Sequence, residues 1–241
     1  MSNNAVKLES FTKKYAEKIA CSSIDFTAGE CSVTGLLGPN GAGKSTILKA
    51  ICGEIYPTTG FVSVCGFSKP EDIKKIIGYV PEIPELEENL TVKETLVLEA
   101  RLYSVKDAVD RIKEALSICQ LTDVVSCKVK NLSKGYRQRV SLAKALCSDP
   151  KVLVLDEFSA GLDPVQTVQL RKNIKELSEK ITVIFSTHHI EEAVSLCKDI
   201  YILKRGVIAA HGTAESIAKD NGCHNLEEAF LKVTGEGIIH E

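Results

Sequence analysis

Residues 38–45 read Gly-Pro-Asn-Gly-Ala-Gly-Lys-Ser and match the pattern GxxxxGK[ST]. This stretch lies between an apolar run at 32–37 and a helix-prone run at 44–51. A strand, a glycine-rich loop and a helix in this order form a phosphate loop, in which glycines let several backbone N–H groups point at one anion. The stretch therefore predicts binding of a nucleoside triphosphate.

The residues of this loop have different predicted contacts with the nucleotide. Lys44 adds a point charge for the β and γ phosphates, and the Ser45 hydroxyl can hold Mg²⁺. The other residues expected at the nucleotide share the loop or the start of the helix and are Gly38, Pro39, Asn40, Gly41, Ala42, Gly43 and Thr46.

The length is ordinary for one α/β domain with an inserted subdomain, and a single composite domain is expected. The chain has 241 residues, of which 44% are hydrophobic and 26% charged, so a sizeable core can form. A net charge of −2 gives no general attraction to nucleic acid, and no nucleic-acid partner is expected. The N-terminus lacks a signal pattern and no apolar run approaches the ~18 residues of a membrane span, so we expect a cytoplasmic chain.

Nine cysteines are scattered along the chain without a CxxC pair. The odd number and the spacing argue against a disulfide framework or a metal cluster. They are expected to be small buried apolar side chains in a reducing compartment.

Short apolar runs predict a mixed, partly antiparallel sheet near the phosphate loop. They lie at 5–11, 24–26, 31–37 and 61–65. Later runs predict a βαβ unit, a hairpin and two short helices. These span 152–155, 165–180 and 182–185 for the unit, 204–207 for the hairpin, and 214–219 and 226–233 for the helices.

Between these runs, residues 91–148 change to helical periodicity, which begins with a capping box formed by Thr91 and Glu94. A helical subdomain is therefore predicted within one composite domain. The predicted divisions are a nucleotide-binding core at 1–88 and 150–212, a helical subdomain at 89–149 and a C-terminal helical tail at 213–241.

Two acids, Asp156 and Glu157, directly follow the apolar run at 152–155. A phosphate-loop enzyme needs a carboxylate at the end of such a strand to complete the Mg²⁺ shell, and Asp156 fits this role. Glu157 is then the candidate base for the water that attacks the γ phosphate.

The segment LSKGYRQR at 132–139 places Ser133 and Gly135 at the start of a predicted helix. A helix N-terminus with a free hydroxyl is an anion site, although Ser133 can also be an ordinary N-cap.

With these motifs in this order, the chain resembles the ATP-binding subunit of an ABC (ATP-binding cassette) transporter over nearly its whole length. The resemblance implies a P-loop NTPase fold of the α/β class, with a RecA-like core, an antiparallel β subdomain and an inserted helical subdomain. LSKGYRQR is similar to the family signature LSGGQ, with Lys134 and Tyr136 replacing Gly and Gln. This variant resembles subunits paired with ABC-2 type membrane permeases, which are often exporters.

The same resemblance implies an ATPase that dimerises head to tail around two Mg·ATP. Ser133 and Gly135 would then contact the ATP held by the other subunit, which is an identical copy or a related chain. The implied partners are this second ABC ATPase subunit and an integral membrane permease, at the cytoplasmic face of the cell membrane.

Other family positions are carried over one at a time. Tyr15 matches the aromatic residue that stacks on adenine. Asp163, in the sequence Gly-Leu-Asp-Pro, matches the loop that links the two sites across the dimer, and it is also a good N-cap. His188 matches the switch histidine that contacts the γ phosphate. The implied catalytic residues are thus Lys44, Glu157 and His188.

Two positions depart from the family pattern. Glu82 stands where the family usually has a Gln that touches Mg²⁺ and the attacking water. A carboxylate can also coordinate Mg²⁺, but it adds negative charge beside the phosphates. The predicted metal ligands are therefore Ser45, Glu82 and Asp156. Phe158 stands where Pro is usual and is expected to alter the stiffness of the loop.

Two alternatives belong to other classes. One is a soluble ABC-type ATPase that acts on a cofactor-assembly, ribosomal or nucleic-acid complex; the absence of long coiled coils and of a second cassette argues against its repair and ribosomal forms. The other is a P-loop kinase, for which the segment at 132–139 has no purpose.

Overall fold

The strands of the protein form two sheets in the computed structural model, which describes residues 4–159 and 161–235. The first sheet is antiparallel, in the order β2 (Lys18–Gly29), β1 (Asn4–Tyr15), β4 (Thr59–Val64). The second has the order β5 (Ile77–Val80), β6 (Val152–Asp156), β7 (Thr182–Thr187), β3 (Val33–Leu37), β8 (Asp199–Lys204), β9 (Val207–Gly212). The mixed sheet expected from the sequence is thus two separate sheets.

Pairing in the second sheet is parallel from β5 to β8, and only β9 runs antiparallel to its neighbour. Strands β3, β6 and β7 are buried along their whole length, as parallel strands covered on both faces must be. In their register Leu37 lies opposite Thr187, and Asp156 lies opposite Ser186. The three chain segments that leave these strands therefore start side by side.

Helices connect and cover the strands. Their bounds are α1 Lys44–Ile51, α2 Pro70–Ile73, α3 Val92–Leu102, α4 Ala108–Ile118, α5 Lys134–Cys147, α6 Pro164–Leu177, α7 Ile190–Leu196, α8 Ala214–Asp220 and α9 Leu226–Thr234. The predicted capping box is confirmed, because Thr91 Oγ1 accepts from the N–H of Glu94 and the Glu94 carboxylate accepts from the N–H of Thr91. These bonds satisfy backbone donors at the start of α3.

The two faces of the second sheet pack into different cores. Side chains of a strand alternate between faces, so Val152 and Val154 pack with α1 and the antiparallel sheet. Leu153 and Leu155 point the other way and pack with helices α3 to α6. A third cluster lies under α8 and α9 and includes Phe230. The sheet is thereby buried on both faces.

The helices α3, α4 and α5 lie in the segment expected to be a helical subdomain. The division of the chain at 88, 89, 149, 150, 212 and 213 stays a prediction. Of the predicted C-terminal tail, residues 236–241 lie outside the described residues. Within the part of the chain that is described, no helix is long and apolar enough to span a membrane.

The expectation that the cysteines are buried is correct for four of them and wrong for two. Cys31 and Cys127 are exposed, because each lies in a connecting segment outside the cores. The buried ones are Cys21, Cys52, Cys119 and Cys147, and the remaining three are half-buried.

Thiol labelling should follow this division. Burial raises the pKa of Cys21 and of Cys147 to about 12. Because the thiolate is the reactive form, a pKa this high leaves about a thousandfold less thiolate than in an unperturbed cysteine. With the folded protein at pH 8, a maleimide should label Cys31 and Cys127 first, as read by peptide mass spectrometry. Labelling of Cys21 or Cys147 as fast as Cys31 would contradict this burial.

Candidate nucleotide site

The phosphate loop joins β3 to α1 and is held by close backbone contacts. A Cβ on Gly38 would lie 2.6 Å from the Leu203 carbonyl oxygen, so a larger residue does not fit there. Gly43 has φ 109°, in the region open to glycine, and a Cβ there would lie 2.9 Å from the carbonyl oxygen of Ala20. The glycines therefore allow the loop to press against neighbouring backbone.

Lys44, the first residue of α1, is only 6% exposed. Its Nζ donates to the carbonyl oxygens of Gly38 at 2.6 Å and Pro39 at 3.3 Å. The same Nζ lies 3.2 Å from Glu157 Oε1, which is an ion-pair contact without hydrogen-bond geometry. The Lys44 ammonium is thus buried against the backbone of the phosphate loop, next to the Glu157 carboxylate.

The end of β6 carries the two acids. Asp156 is buried, and the Ser186 hydroxyl on the neighbouring strand donates to its Oδ1. Glu157 has φ 47°, a left-handed conformation uncommon for a residue other than glycine. Its N–H donates to Ser186 Oγ at 3.1 Å. Two successive acids are thereby separated, one held in the core and the other turned toward Lys44.

His188 follows β7 and completes this group. Its Nδ1 lies 2.8 Å from Glu157 Oε2. A carboxylate oxygen only accepts, so the Nδ1–H donates and Nε2 is left for another partner. The Glu157 carboxylate therefore lies between the Lys44 ammonium on one side and the His188 ring on the other.

These groups line one open cavity of about 690 Å³. The predicted residues that line it are Tyr15, Asn40, Gly41, Ala42, Gly43, Lys44, Ser45, Thr46, Glu82, Glu157 and His188. Tyr15 ends β1 and is 45% exposed, so its ring is open to a planar partner. Glu82 is exposed and follows β5. Asp156 lies behind the cavity wall, in the core.

Five residues of the cavity were not predicted from the sequence. They are Lys18, Ile19 and Ala20 at the start of β2, and Arg205 and Gly206 in the β8–β9 turn. Gly206 N donates to Ala42 O at 2.9 Å, which fixes the turn against the phosphate loop. The hairpin itself was expected, but its place beside the loop depends on packing between distant segments.

Three other predicted residues, Ser133, Gly135 and Asp163, are not among the residues lining this cavity. Ser133 caps α5 by accepting from Tyr136 N at 3.4 Å, and Asp163 caps α6 by accepting from Gln166 N at 2.9 Å. The two helix starts are neighbours, since a Cβ on Gly135 would lie 3.0 Å from Gln166 Oε1. Ser133 and Asp163 are exposed and form a second surface, outside the cavity that Lys44 lines, and Gly135 is buried beside them against Leu162 and Gln166.

Two departures from the family pattern have clear structural roles. The Tyr136 hydroxyl donates to Asp123 Oδ2 at 2.8 Å, and the Arg139 guanidinium lies 4.1 Å from the centre of its ring. Phe158 is buried and packs edge-on to Phe185, with ring centroids 5.3 Å apart. Tyr136 therefore joins the start of α5 to Asp123, and Phe158 packs the segment after β6 against β7.

Comparisons with known proteins identify the family of this chain. The ABC transporter family pattern matches residues 21–160. The chain is 35% identical to the Nod factor export ATP-binding protein I of Burkholderia lata over 224 residues, 89% of this chain and 73% of that protein. It is 36% identical to the protein of the same name from Rhizobium meliloti over 232 residues, 92% and 69% of the two chains.

Solved structures give the same result. An ATP-binding subunit of an ABC transporter superposes with a TM-score of 0.89 at 29% identity, covering 95% of this chain and 99% of that one. A dimeric ABC transporter cassette bound to ADP and Pi, in a post-hydrolysis state, has a TM-score of 0.80 at 27% identity, with 86% and 98% covered. The predicted fold class is therefore confirmed, and this chain belongs to the ABC transporter family as an ATP-binding subunit with ATPase activity.

Proposed function

We propose that two ABC ATPase subunits, this chain with an identical copy or a related one, close on two Mg·ATP, and that hydrolysis reopens them. A separate membrane permease converts this cycle into transport, in the direction of export. The observation that carries the proposal is the convergence of Lys44, Glu157 and His188 on the cavity that the phosphate loop lines.

Nucleotide binding follows from this cavity. The phosphates lie along residues 38–46, where backbone N–H groups at the start of α1 and the Lys44 ammonium supply positive charge. The adenine lies against Tyr15, whose ring is exposed at the edge of the same cavity. Lys18 and Arg205 line the cavity as well and add two more cations.

The residues present also fit Mg²⁺. Among the described residues no three His, Cys, Asp or Glu side chains are grouped so that they could hold a metal by themselves. An ion at this site therefore needs phosphate oxygens and water as additional ligands, which is the usual mode for Mg²⁺. Ser45 and Glu82 would supply oxygens directly, and Asp156 through water. The ion would neutralise charge on the phosphates.

Chemistry at the γ phosphate is assigned to three side chains. Glu157 accepts a proton from the attacking water, and its carboxylate is oriented because Lys44 and His188 contact its two oxygens. Lys44 stabilises charge on the phosphates. His188 donates Nδ1–H to Glu157, and as the imidazolium it also carries an Nε2–H that can donate to the γ phosphate.

The second surface supports dimerisation. Ser133, Gly135 and Asp163 do not line the cavity, so their contact with nucleotide requires a second subunit. One similar solved structure is a dimeric ABC transporter cassette. Two relatives are named for Nod factor export, which supports export over import.

A permease is the partner proposed for the surface near Glu82. Ile83, next to Glu82, and Leu102, at the end of α3, are 76% and 69% exposed, so each leaves apolar surface open to a protein contact. The permease would hold the chain at the cytoplasmic face of the membrane.

Lys44→Ala should weaken ATP binding itself. The variant loses a charged donor to the phosphates, so the ATP affinity should fall at least about tenfold. Equilibrium binding of a fluorescent ATP analogue would measure this, with the exposed Lys49 of the same helix as the matched control, Lys49→Ala. Unchanged affinity in Lys44→Ala would count against the phosphate-loop assignment.

Glu157→Gln should trap the ATP-bound dimer. The change removes the base but keeps the size of the side chain, so ATP hydrolysis should fall by about 10²-fold or more while ATP stays bound. Size-exclusion chromatography with Mg·ATP should show a dimer. A variant that hydrolyses ATP at the parental rate and stays monomeric would disprove the role of Glu157.

The same trapped protein identifies the partner. Tagged Glu157→Gln chain would be purified with Mg·ATP from detergent-solubilised membranes of its host, with Lys44→Ala as the control. A stoichiometric polytopic protein supports transport. Recovery only from the soluble fraction, with a ribosomal or assembly complex, would leave the ATPase assignment intact and reject transport.

Glu82→Gln should keep ATPase activity within about an order of magnitude, because the amide oxygen can still contact the ion or the water. Half-maximal activity should require more Mg²⁺, since an anionic ligand is lost. Activity would be titrated against Mg²⁺, with the exposed Glu85→Gln as control. A complete loss of turnover would show that the acid has a role of its own.

A further inference from the structure

The buried acid Glu192 contacts Thr187, the residue before His188, and has no part in the proposed chemistry. Glu192, on α7, is 1% exposed. Its Oε2 accepts from the Thr187 hydroxyl at 2.7 Å, and its Oε1 lies 3.5 Å from a terminal guanidinium nitrogen of Arg171. A buried carboxylate is costly unless it is paired, and these two contacts pair it. Glu192 therefore holds Thr187 and Arg171 at fixed positions.

Thr187 fixes the backbone around His188. Its Oγ1 accepts from the N–H of His189 at 3.0 Å, which closes a turn of the Ser/Thr type with His188 in the middle. The Thr187 carbonyl oxygen accepts from Gly38 N at 3.3 Å, so the same residue also contacts the phosphate loop. Thr187 therefore holds the backbone that carries His188, while Glu157 contacts the ring.

Glu192 determines which way the Thr187 hydroxyl points. A carboxylate only accepts, so the Thr187 proton must point toward Glu192 and a lone pair is left for the N–H of His189. Without Glu192 the hydroxyl is free to rotate, and the turn loses its preferred geometry.

Arg171 connects this arrangement to another part of the molecule. It lies on α6, eight residues after the helix cap Asp163, which is about 12 Å along the axis of a rigid helix. Asp163 belongs to the second surface, where we have proposed that the other subunit binds. A displacement of α6 on dimer closure would therefore act on Glu192 through Arg171.

We propose that Glu192 is a positioning residue for His188: it orients Thr187, which holds the switch turn, and its pairing with Arg171 makes that turn sensitive to the position of α6. The inference rests on the proposed function, because it requires His188 to act at the γ phosphate.

The test is steady-state ATP hydrolysis by this chain. Glu192→Ala should lower kcat about tenfold or more while KM for ATP changes less than about twofold, because a misplaced group costs rate rather than binding. Glu192→Gln keeps one acceptor oxygen for Thr187 but turns an amide NH2 toward Arg171, so it should recover only part of the lost kcat. Glu191→Gln, on the exposed neighbour in the same helix, should match the parent. A loss that appears only as a raised KM would reject the proposal.

A double-mutant cycle separates positioning from mere stability. In a His188→Ala background, Glu192→Ala should cost less than about twofold more, because the group that it positions is already gone. An equal loss in both backgrounds would overturn the inference. If His188→Ala alone hydrolyses ATP at the parental rate, the proposed role of His188 fails instead, and the single variants show which has failed.

Two further variants keep the test decisive if Glu192→Ala does not fold. Thr187→Val keeps the shape but removes the hydroxyl, so it should show the same fall in kcat, and Thr187→Ser should restore it. Arg171→Met removes the charge but keeps the length, and it should lower kcat in the same way. Full activity in both Thr187→Val and Arg171→Met would reject the proposal.

Discussion

The site depends first on the parallel pairing of β3, β6 and β7. Their register places Leu37 opposite Thr187 and Asp156 opposite Ser186, so the phosphate loop, the acidic pair and the switch turn leave the sheet at the same edge. A slip by one residue would turn alternate side chains to the opposite face and separate these groups. Because both faces of the sheet are packed into cores, such a slip is strongly disfavoured.

Polar contacts between strand ends then refine this arrangement. The Ser186 hydroxyl contacts both acids of the pair: it donates to the Asp156 carboxylate and accepts from the N–H of Glu157. Thr187 binds the phosphate loop with its carbonyl and the switch turn with its hydroxyl. Two hydroxyl residues on the buried strand β7 are therefore hydrogen-bonded to the acidic pair, the phosphate loop and the turn at His188. This explains how groups far apart in sequence can hold the Glu157 carboxylate between a cation and an imidazole.

The residues that depart from the family pattern act mainly through packing. Phe158 fills the core beneath the acidic pair, and Tyr136 ties the start of α5 to Asp123. Phe158 directly follows Glu157, and Tyr136 lies three residues after Ser133, so each affects how firmly that side chain is held. Glu82 differs from them because its exposed carboxylate lines the cavity and acts by charge.

Local patterns in the chain were enough to predict the phosphate loop, the acidic pair, the capping box and the helix caps at Ser133 and Asp163. Each depends on residues within a few positions of one another, where backbone geometry and hydrogen-bonding capacity are local properties. Strand limits were predicted less well; β1, for example, extends to Tyr15 rather than ending near residue 11, because pairing with β2 and β4 prolongs it.

Tertiary structure alone decided which distant segments meet. Nothing local indicates that Arg205 and Gly206 lie beside the phosphate loop, or that Arg171 reaches Glu192. These contacts join residues more than twenty positions apart, and they form because strand order and helix packing bring the segments together. Short motifs were therefore enough to predict the candidate chemical groups of the site. The residues that complete the cavity lining and hold those groups in place depend on the assembled fold.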